Sequence, residues 1–263
     1  MRVLGEGLDN TVYETNGGLI LRCAKQPDPE ALLREARILA AVAAVSPLPV
    51  PKPAFVSPER GWLAYSKLQG VPLIDARPSK VDGIVADLHA FLAVLHRTRI
   101  DFAEPDEVPL QEWLDEAADN YKSVTAHVPA AHHRPIATFL DTAPPSDAFE
   151  PVFCHNDLGI EHILVAGDSV TGISVTGVID WSDAALTDPA RDYGLLYRDL
   201  GPAALPPAVL RDRAVFYARC SVFEDLAFGL STGRRAYIDK SLSSLRWLFP
   251  VEAGRPRSAT TRP

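Results

Sequence analysis

Between residues 153 and 165 the sequence reads FCHNDLGIEHILV, which places His155, Asn156, Asp157, Glu161 and His162 within eight positions. A carboxylate in a loop leading into an apolar strand can accept a proton from a hydroxyl, and a histidine ring nitrogen can coordinate a divalent ion. A second carboxylate, Asp180, closes the β-like run ISVTGVID. A loop aspartate followed by one at the end of a hairpin strand recurs in phosphoryl transfer: one orients the hydroxyl nucleophile, the other holds Mg2+ against nucleotide phosphates. The position five after the first aspartate supplies a second metal ligand, usually asparagine. Here it is His162, although Mg2+ prefers oxygen. Taken singly these residues have plainer readings: a core or loop role for either histidine, a turn for Asp180.

Upstream residues could complete a nucleotide cleft. GEGLDNTVYE, with Gly5 and Gly7, can fold over phosphates and offer backbone N–H groups where Cβ atoms would obstruct approach; alone, it also reads as a hairpin glycine pair. The run LILRCAK carries two cations, Arg22 and Lys25, whose odd separation sends them to opposite faces of a strand. Glu35 lies three residues after Leu32 and four before Leu39, on the helical stripe that faces the protein, where a carboxylate needs a partner. Glycine loop, strand cation, inward glutamate, loop aspartate and hairpin aspartate follow one another in the order that builds one cleft.

The elements that must hold these residues are legible in part. Asn16, Gly17 and Gly18 predict a hairpin of two paired strands in the first 25 residues, and Asp28-Pro29 predicts a helix start with Leu32, Leu39 and Val42 on its apolar stripe. PLPVPKP ends that helix, and GWLAYSKLQG reads as a further strand. Ser79 with Asp82 predicts a capping box before a helix carrying Ile84, Leu88, Leu92 and Leu95. Helices are expected around PLQEWLDEAADNYK and AAHHRPIATFLDT, a loop over 143–151, two strands in ILVAG and ISVTGVID, and mostly helix from there to residue 249. The tail 251–263 is expected to be disordered.

Whole-chain properties bound the function. A net charge of −8 over 263 residues argues against a phosphate-backbone binder and suits a cationic small partner. Three scattered cysteines, Cys23, Cys154 and Cys220, suit neither a disulfide framework nor a thiolate metal site. With no signal-peptide pattern and no apolar run approaching a membrane span, the protein is expected to be cytoplasmic and soluble, without nucleic-acid or membrane partners, and monomeric.

HNDLGIEHIL followed by GVIDWSDAALTDPARDYG resembles the catalytic and metal-binding segments of the aminoglycoside phosphotransferase family, closest in flavour to its 2''-phosphotransferases. The resemblance is strong over residues 153–197 and weaker through the first lobe. It implies an α+β, bilobal, protein-kinase-like fold: a nucleotide-binding lobe over 1–68 and a helical catalytic and substrate lobe over 69–250, with ATP or GTP and Mg2+ between them. By position Asp157 resembles the catalytic base, and His162 and Asp180 the Mg2+ ligands. Arg22 falls at the lysine position that meets the phosphates and Glu35, Trp181 stands where kinases have phenylalanine, and Asp192 matches the structural aspartate of a DPxxD segment. AYSKLQG falls at the linker, where the backbone around Ser66 and Leu68 receives the nucleotide base.

Two features bear on the acceptor. Residues 101–120 hold eight carboxylates, Asp115 and Asp119 among them, without a lysine or arginine, which also reads as a solvated acidic face. Glu224 and Asp225 interrupt an apolar helix in the region that lines the antibiotic pocket in the resembling family, and Asp183 follows the second motif. Together they imply a polycationic acceptor: an aminoglycoside first, a tuberactinomycin-type cationic peptide antibiotic equally by charge, a macrolide, sugar or amino alcohol less well. A protein kinase fits poorly because Asp180 runs within eight residues into DPARD, leaving little room to dock a peptide. A non-catalytic nucleotide-binding module fits least, because both aspartates are present.

Overall fold

The computed structural model describes residues 1–7, 10–146, 148–168 and 172–251. All of the expected tail except Val251 lies outside the described residues, as do Leu8 and Asp9 of the glycine loop.

The N-terminal part is a five-stranded antiparallel sheet in the order β1-β2-β3-β5-β4, formed by β1 (Arg2–Glu6), β2 (Asn10–Glu14), β3 (Leu19–Ala24), β4 (Pro53–Ser57) and β5 (Trp62–Ser66). The expected hairpin is β2–β3, turned at Gly18, whose φ of 75° favours glycine. The expectation of two strands there is corrected to three, because the stretch before Asn10 pairs with β2 as a separate edge strand, β1. Strand β4 was hidden by its prolines. It lies at the opposite edge, where Pro53 leaves no central ladder bond unmade.

Helix α1 (Pro29–Val45) starts as expected: the Asp28 carboxylate accepts from the N–H groups of Glu30 and Ala31. Its buried side includes Leu32, Leu39, Val42 and Glu35. A linker leads from β5 into the short strand β6 (Val71–Pro72), followed by the single turn α2 (Leu73–Ala76). Helix α3 (Asp82–Leu95) buries Ile84, Leu88, Leu92 and Leu95, but the expected capping box is absent. The helix begins at Asp82 with Val81 at the N-cap position, too late for the Ser79 hydroxyl to serve the first turn. Helices α4 (Leu110–Val124) and α5 (His133–Leu140) lie where expected.

Strands β7 (Val152–Cys154), β8 (Ile163–Asp168), β9 (Gly172–Val178) and β10 (Ala185–Thr187) frame the FCHNDLGIEHILV segment. β8 and β9 form a hairpin to which β6 adds a third strand, and β7 pairs with β10. The linker is thereby fixed to the hairpin that leads to Asp180. Helices α6 (Ala190–Leu200), α7 (Arg211–Thr232) and α8 (Arg235–Leu248) complete the helical part, α7 packing against α4, α6 and α8. No helix among the described residues is long and apolar enough to cross a membrane.

One apolar core runs from Leu39, Val42 and Leu63 under the sheet to Phe223 and Leu245 among the last helices. Trp181 sits within it, parallel to Phe153, edge-on to Phe91 and against the His155 ring, and its indole N–H donates to the Val178 carbonyl at 3.2 Å. The FCHND segment therefore rests on packed aromatics. Phe91→Ala removes a fully buried ring from this floor and is expected to cost about 3–5 kcal/mol, read as a lower denaturant midpoint at unchanged slope.

Candidate active site

The loop after β7 has an unusual backbone, and its hydrogen bonds explain how it is held. Asn156 has a φ of 72°, in the left-handed region. The fully buried Asp192 carboxylate, on α6, accepts from the N–H of His155 at 3.1 Å and of Asn156 at 2.8 Å, and contacts His96 Nε2 at 2.9 Å. The Asn156 amide donates to Asp106 and to the Asp183 carbonyl, each at 2.9 Å. His155 is buried, its Nε2 3.0 Å from the Ile179 carbonyl, and burial pushes its pKa below the usual histidine value. It is a brace between the loop and the segment carrying Asp180.

Asp157 emerges from this braced loop with its side chain 41% exposed, accessible to a substrate hydroxyl. His162 Nδ1 lies 2.8 Å from the Asp157 carbonyl and 3.3 Å from its carboxylate. A proton on Nδ1 donates to that carbonyl and leaves the Nε2 lone pair facing Asp180 Oδ2, 3.6 Å away. Burial works against a charge on His162, but Asp157, Asp180 and Glu161 override it and raise its pKa. Asp180 is itself in the left-handed region, with φ 64°, and accepts from the Ser182 hydroxyl at 3.0 Å. A hard carboxylate and an imidazole nitrogen converge there, a donor set that fits a divalent cation once Nε2 gives up its proton.

On the other side of Asp180 lies a cleft of about 250 Å³ between the sheet and the β8–β9 hairpin. Val12 and Ile20 from the sheet and Leu164 and Ile179 from the other side give it apolar walls suited to a planar base, with Leu68 and Tyr65 toward the linker. Its polar end is Arg22, Glu35 and Asp180. Arg22 is ion-paired to Glu35 through Nη2, and its Nη1 lies 4.0 Å from Asp180. Burial opposes the Arg22 charge, but Glu35 foremost, with Asp180, holds its pKa above the ordinary value. Arg22 Nε is buried without a hydrogen-bond partner among the described residues, a donor left over for an anion.

The other expected nucleotide contacts divide. Lys25 pairs with Glu6 at 2.9 Å on the exposed side of the sheet, away from the cleft lining. Gly5 lies in β1, and a Cβ there would meet no atom within 4 Å, so protein packing does not demand the glycine. The Gly7 N–H donates to the Asn10 carbonyl and closes the turn. The Ser66 side chain lines a neighbouring cavity beside Leu48 and Lys52, which leaves its backbone for any base contact.

A second cavity, about 350 Å³, opens on the far side of Asp157. Asp106, Asp157, Asp183, Glu224 and Asp225 line it, with Arg191 and Arg198, and Trp113 and Tyr217 form an aromatic wall with ring centroids 5.4 Å apart. Loss of hydration, followed by the Asp157 and Asp180 carboxylates, raises the Asp183 pKa. Loss of hydration, followed by Asp225 and Glu116, does the same for Glu224. Both shifts mark crowded negative charge.

Asp115 and Asp119 are not brought there. Leu110, Leu114 and Ala117 bury the inner side of α4, so these two carboxylates point outward, bonded to Gln111 and Lys122. From the acidic run it is Asp106 and Trp113 that reach the cavity, and neither spacing nor composition marked them out. Asp225 also lines the cavity, but it is shared with the protein: it is ion-paired to Arg198 at 3.0 Å and Lys240 at 2.9 Å, and burial nevertheless pushes its pKa up to about 6.

Comparison with known proteins agrees with this architecture. A GDP and kanamycin complex of an APH(2'') enzyme superposes with a TM-score of 0.70 and 21% identity, over 93% of this chain and 91% of that one. The macrolide 2'-phosphotransferase of Brachybacterium faecium matches with a TM-score of 0.58 and 20% identity, over 97% and 93%. An ADP-bound aminoglycoside phosphotransferase APH(2'') of another type matches with 0.57 and 17%, over 94% and 92%. At these identities the likeness speaks for a shared kinase-like fold. The comparison with curated proteins gives no match. The family model described as "Phosphotransferase enzyme family" (APH) matches residues 1–228, a span that takes in the glycine loop, Asp157, Asp180 and the acidic cavity, and the chain belongs to that family.

Proposed function

We propose that the protein transfers the γ-phosphoryl group of ATP or GTP to a hydroxyl of a small cationic antibiotic, an aminoglycoside before any other. The observation that carries this reading is that Asp157 lines an acidic cavity walled by Trp113 and Tyr217 while His162 links it to Asp180, at the polar end of an apolar cleft that also holds Arg22 and Glu35. On this reading residues 1–68 form the nucleotide lobe and residues 69–250 the catalytic and acceptor lobe, and the protein acts as a soluble cytoplasmic enzyme.

The nucleotide base fits the apolar cleft, and Arg22, held by Glu35 at its polar end, offers a cation to the phosphates. Asp180 and His162 would hold Mg2+, which when bound neutralises charge on the phosphate oxygens. Asp157 orients the acceptor hydroxyl and takes its proton as the oxygen bonds to the γ-phosphorus and the bond to the β-phosphate oxygen breaks, releasing nucleoside diphosphate. Asp106, Asp183 and Glu224 offer carboxylates to the acceptor's ammonium groups, while a net charge of −8 raises its local concentration at low salt.

Nucleotide-dependent phosphorylation of aminoglycosides, cationic peptide antibiotics, macrolides, sugars and amino alcohols, followed by mass, tests the whole reading; phosphate appearing only on neutral acceptors would sink its substrate half. Asp157→Asn is expected to keep nucleotide binding and lower turnover by about 100-fold or more, because alignment and proton acceptance fail together. Near-normal turnover in the folded variant removes Asp157 from the mechanism. Asp180→Ala is expected to abolish turnover, whereas His162→Asn, which substitutes an amide oxygen for imidazole, retains it; equal loss in both gives the imidazole a role of its own. Glu224→Gln is expected to raise KM for a cationic acceptor several-fold with nucleotide KM unchanged, as measured by steady-state kinetics at low and high salt.

A further inference from the structure

A group of five charges that the mechanism above does not use extends inward from the acceptor cavity, which Arg198 and Asp225 of the group also line. Lys240 of α8 reaches Glu161 at 2.8 Å, Asp225 at 2.9 Å and Asp199 at 3.1 Å, and Arg198 bridges Asp199 at 2.7 Å and Asp225 at 3.0 Å. All five side chains are 13% exposed or less. Three carboxylates against two cations leave one negative charge when all are ionised. Such a group persists only if each charge is closely answered.

Two of its members are bonded to the catalytic loop. The Ile160 N–H donates to Asp199 at 3.2 Å, and Glu161 immediately precedes His162, whose own N–H donates to the Gly159 carbonyl at 3.0 Å. Gly159 records the same constraint from the other side. A Cβ there would stand 2.6 Å from the Glu161 carboxyl group, so an alanine at 159 would require that carboxyl group to shift from its place beside Lys240. Lys240 is thus the nearer of two cations at Glu161, Arg198 standing 4.0 Å away, and Glu161 adjoins the residue, His162, that faces Asp157 and Asp180. The match to the family model ends at residue 228, before α8 begins.

We infer that Lys240 is a positioning residue for phosphoryl transfer: by holding Glu161 beneath the loop it sets the placement of His162 and Asp157, which makes α8 a working part of the active site. The inference rests on the proposed phosphoryl-transfer reading. Removing the cation misaligns groups that never touch it, and misplacement on the ångström scale costs about 10- to 100-fold in rate.

The experiment compares the parent, Lys240→Met, Lys240→Met with Glu161→Gln, and Gly159→Ala, measuring melting temperature, kcat and both KM values against a cationic acceptor that the parent turns over. Lys240→Met is expected to lower both melting temperature and kcat, the latter about 10- to 100-fold, with nucleotide KM within a factor of about two. The double variant removes one charge of each sign and restores the parent's balance. It is expected to regain most of the melting temperature while kcat stays low. Gly159→Ala, which changes no charge, is expected to lower kcat in the same way. Recovery of kcat together with stability in the double variant, or full turnover in Gly159→Ala, overturns the inference. A parent that phosphorylates no acceptor defeats the proposed function instead. Amide exchange at Ile160 then tests the anchor alone: faster exchange in Lys240→Met at matched stability supports it, and unchanged exchange overturns it.

Discussion

Two backbone N–H groups bonded to one buried carboxylate carry the site. Asp192 accepts from His155 and Asn156 while contacting His96, and its pKa is held below the usual value because hydrogen bonds and the charges of His96 and His155 outweigh burial. This anchor lets Asn156 occupy a left-handed conformation that a non-glycine residue otherwise avoids. The twist it introduces brings Asp157 out of the core beside His162. Asp180, likewise left-handed, turns toward the same point from the end of β9. A loop in ordinary extended backbone would leave one carboxylate pointing into the protein.

Bringing carboxylates together creates a second constraint, because Asp157, Asp180, Asp183 and Glu161 all lie near His162 or one another. The fold meets it with cations delivered from separate elements. Arg22 comes from the sheet, Arg191 from α6 to Asp106 at 2.5 Å, and Arg198 and Lys240 from α6 and α8 to the carboxylates below. The compensation is uneven. It is close around Asp199, whose pKa its cations hold well below the usual value, incomplete around Asp225, whose pKa burial pushes up to about 6, and thin around Asp183 and Glu224, where on the proposed reading a cationic acceptor would supply what is missing.

The contrast between legible and illegible features follows from the range of the interactions. Asp157, His162, Asp180 and Glu35 could be singled out because each sits in a local pattern, a loop before a strand, a strand end or one face of a helix, whereas Arg22 rather than Lys25 followed only from the family resemblance. The Asp28 cap and the β2–β3 turn were legible for the same reason. Strand β4 was not, since its prolines signal a break and only its edge position makes them tolerable. Asp115 and Asp119 seemed equivalent to Asp106 by composition, yet the buried side of α4 turns them outward. Asp225 seemed equivalent to Glu224, yet its partners lie at positions 198 and 240. Glu161 and Lys240 are 79 residues apart, and pairings at that distance leave no periodic trace in a sequence.

Asp157 lines the acidic cavity and Asp180 the apolar cleft, and His162 stands between the two carboxylates, 3.3 Å from one and 3.6 Å from the other. On the proposed reading, the apolar slot ending in an arginine suits a flat base bearing phosphates, and the acidic, aromatic-walled hollow suits an acceptor with ammonium groups and apolar ring faces. The braced loop would then fix the distance between them, so that the terminal phosphate of one ligand and a hydroxyl of the other could reach Asp157. A rigid boundary between two unlike pockets accounts for both the buried charges under the loop and the aromatic packing behind it.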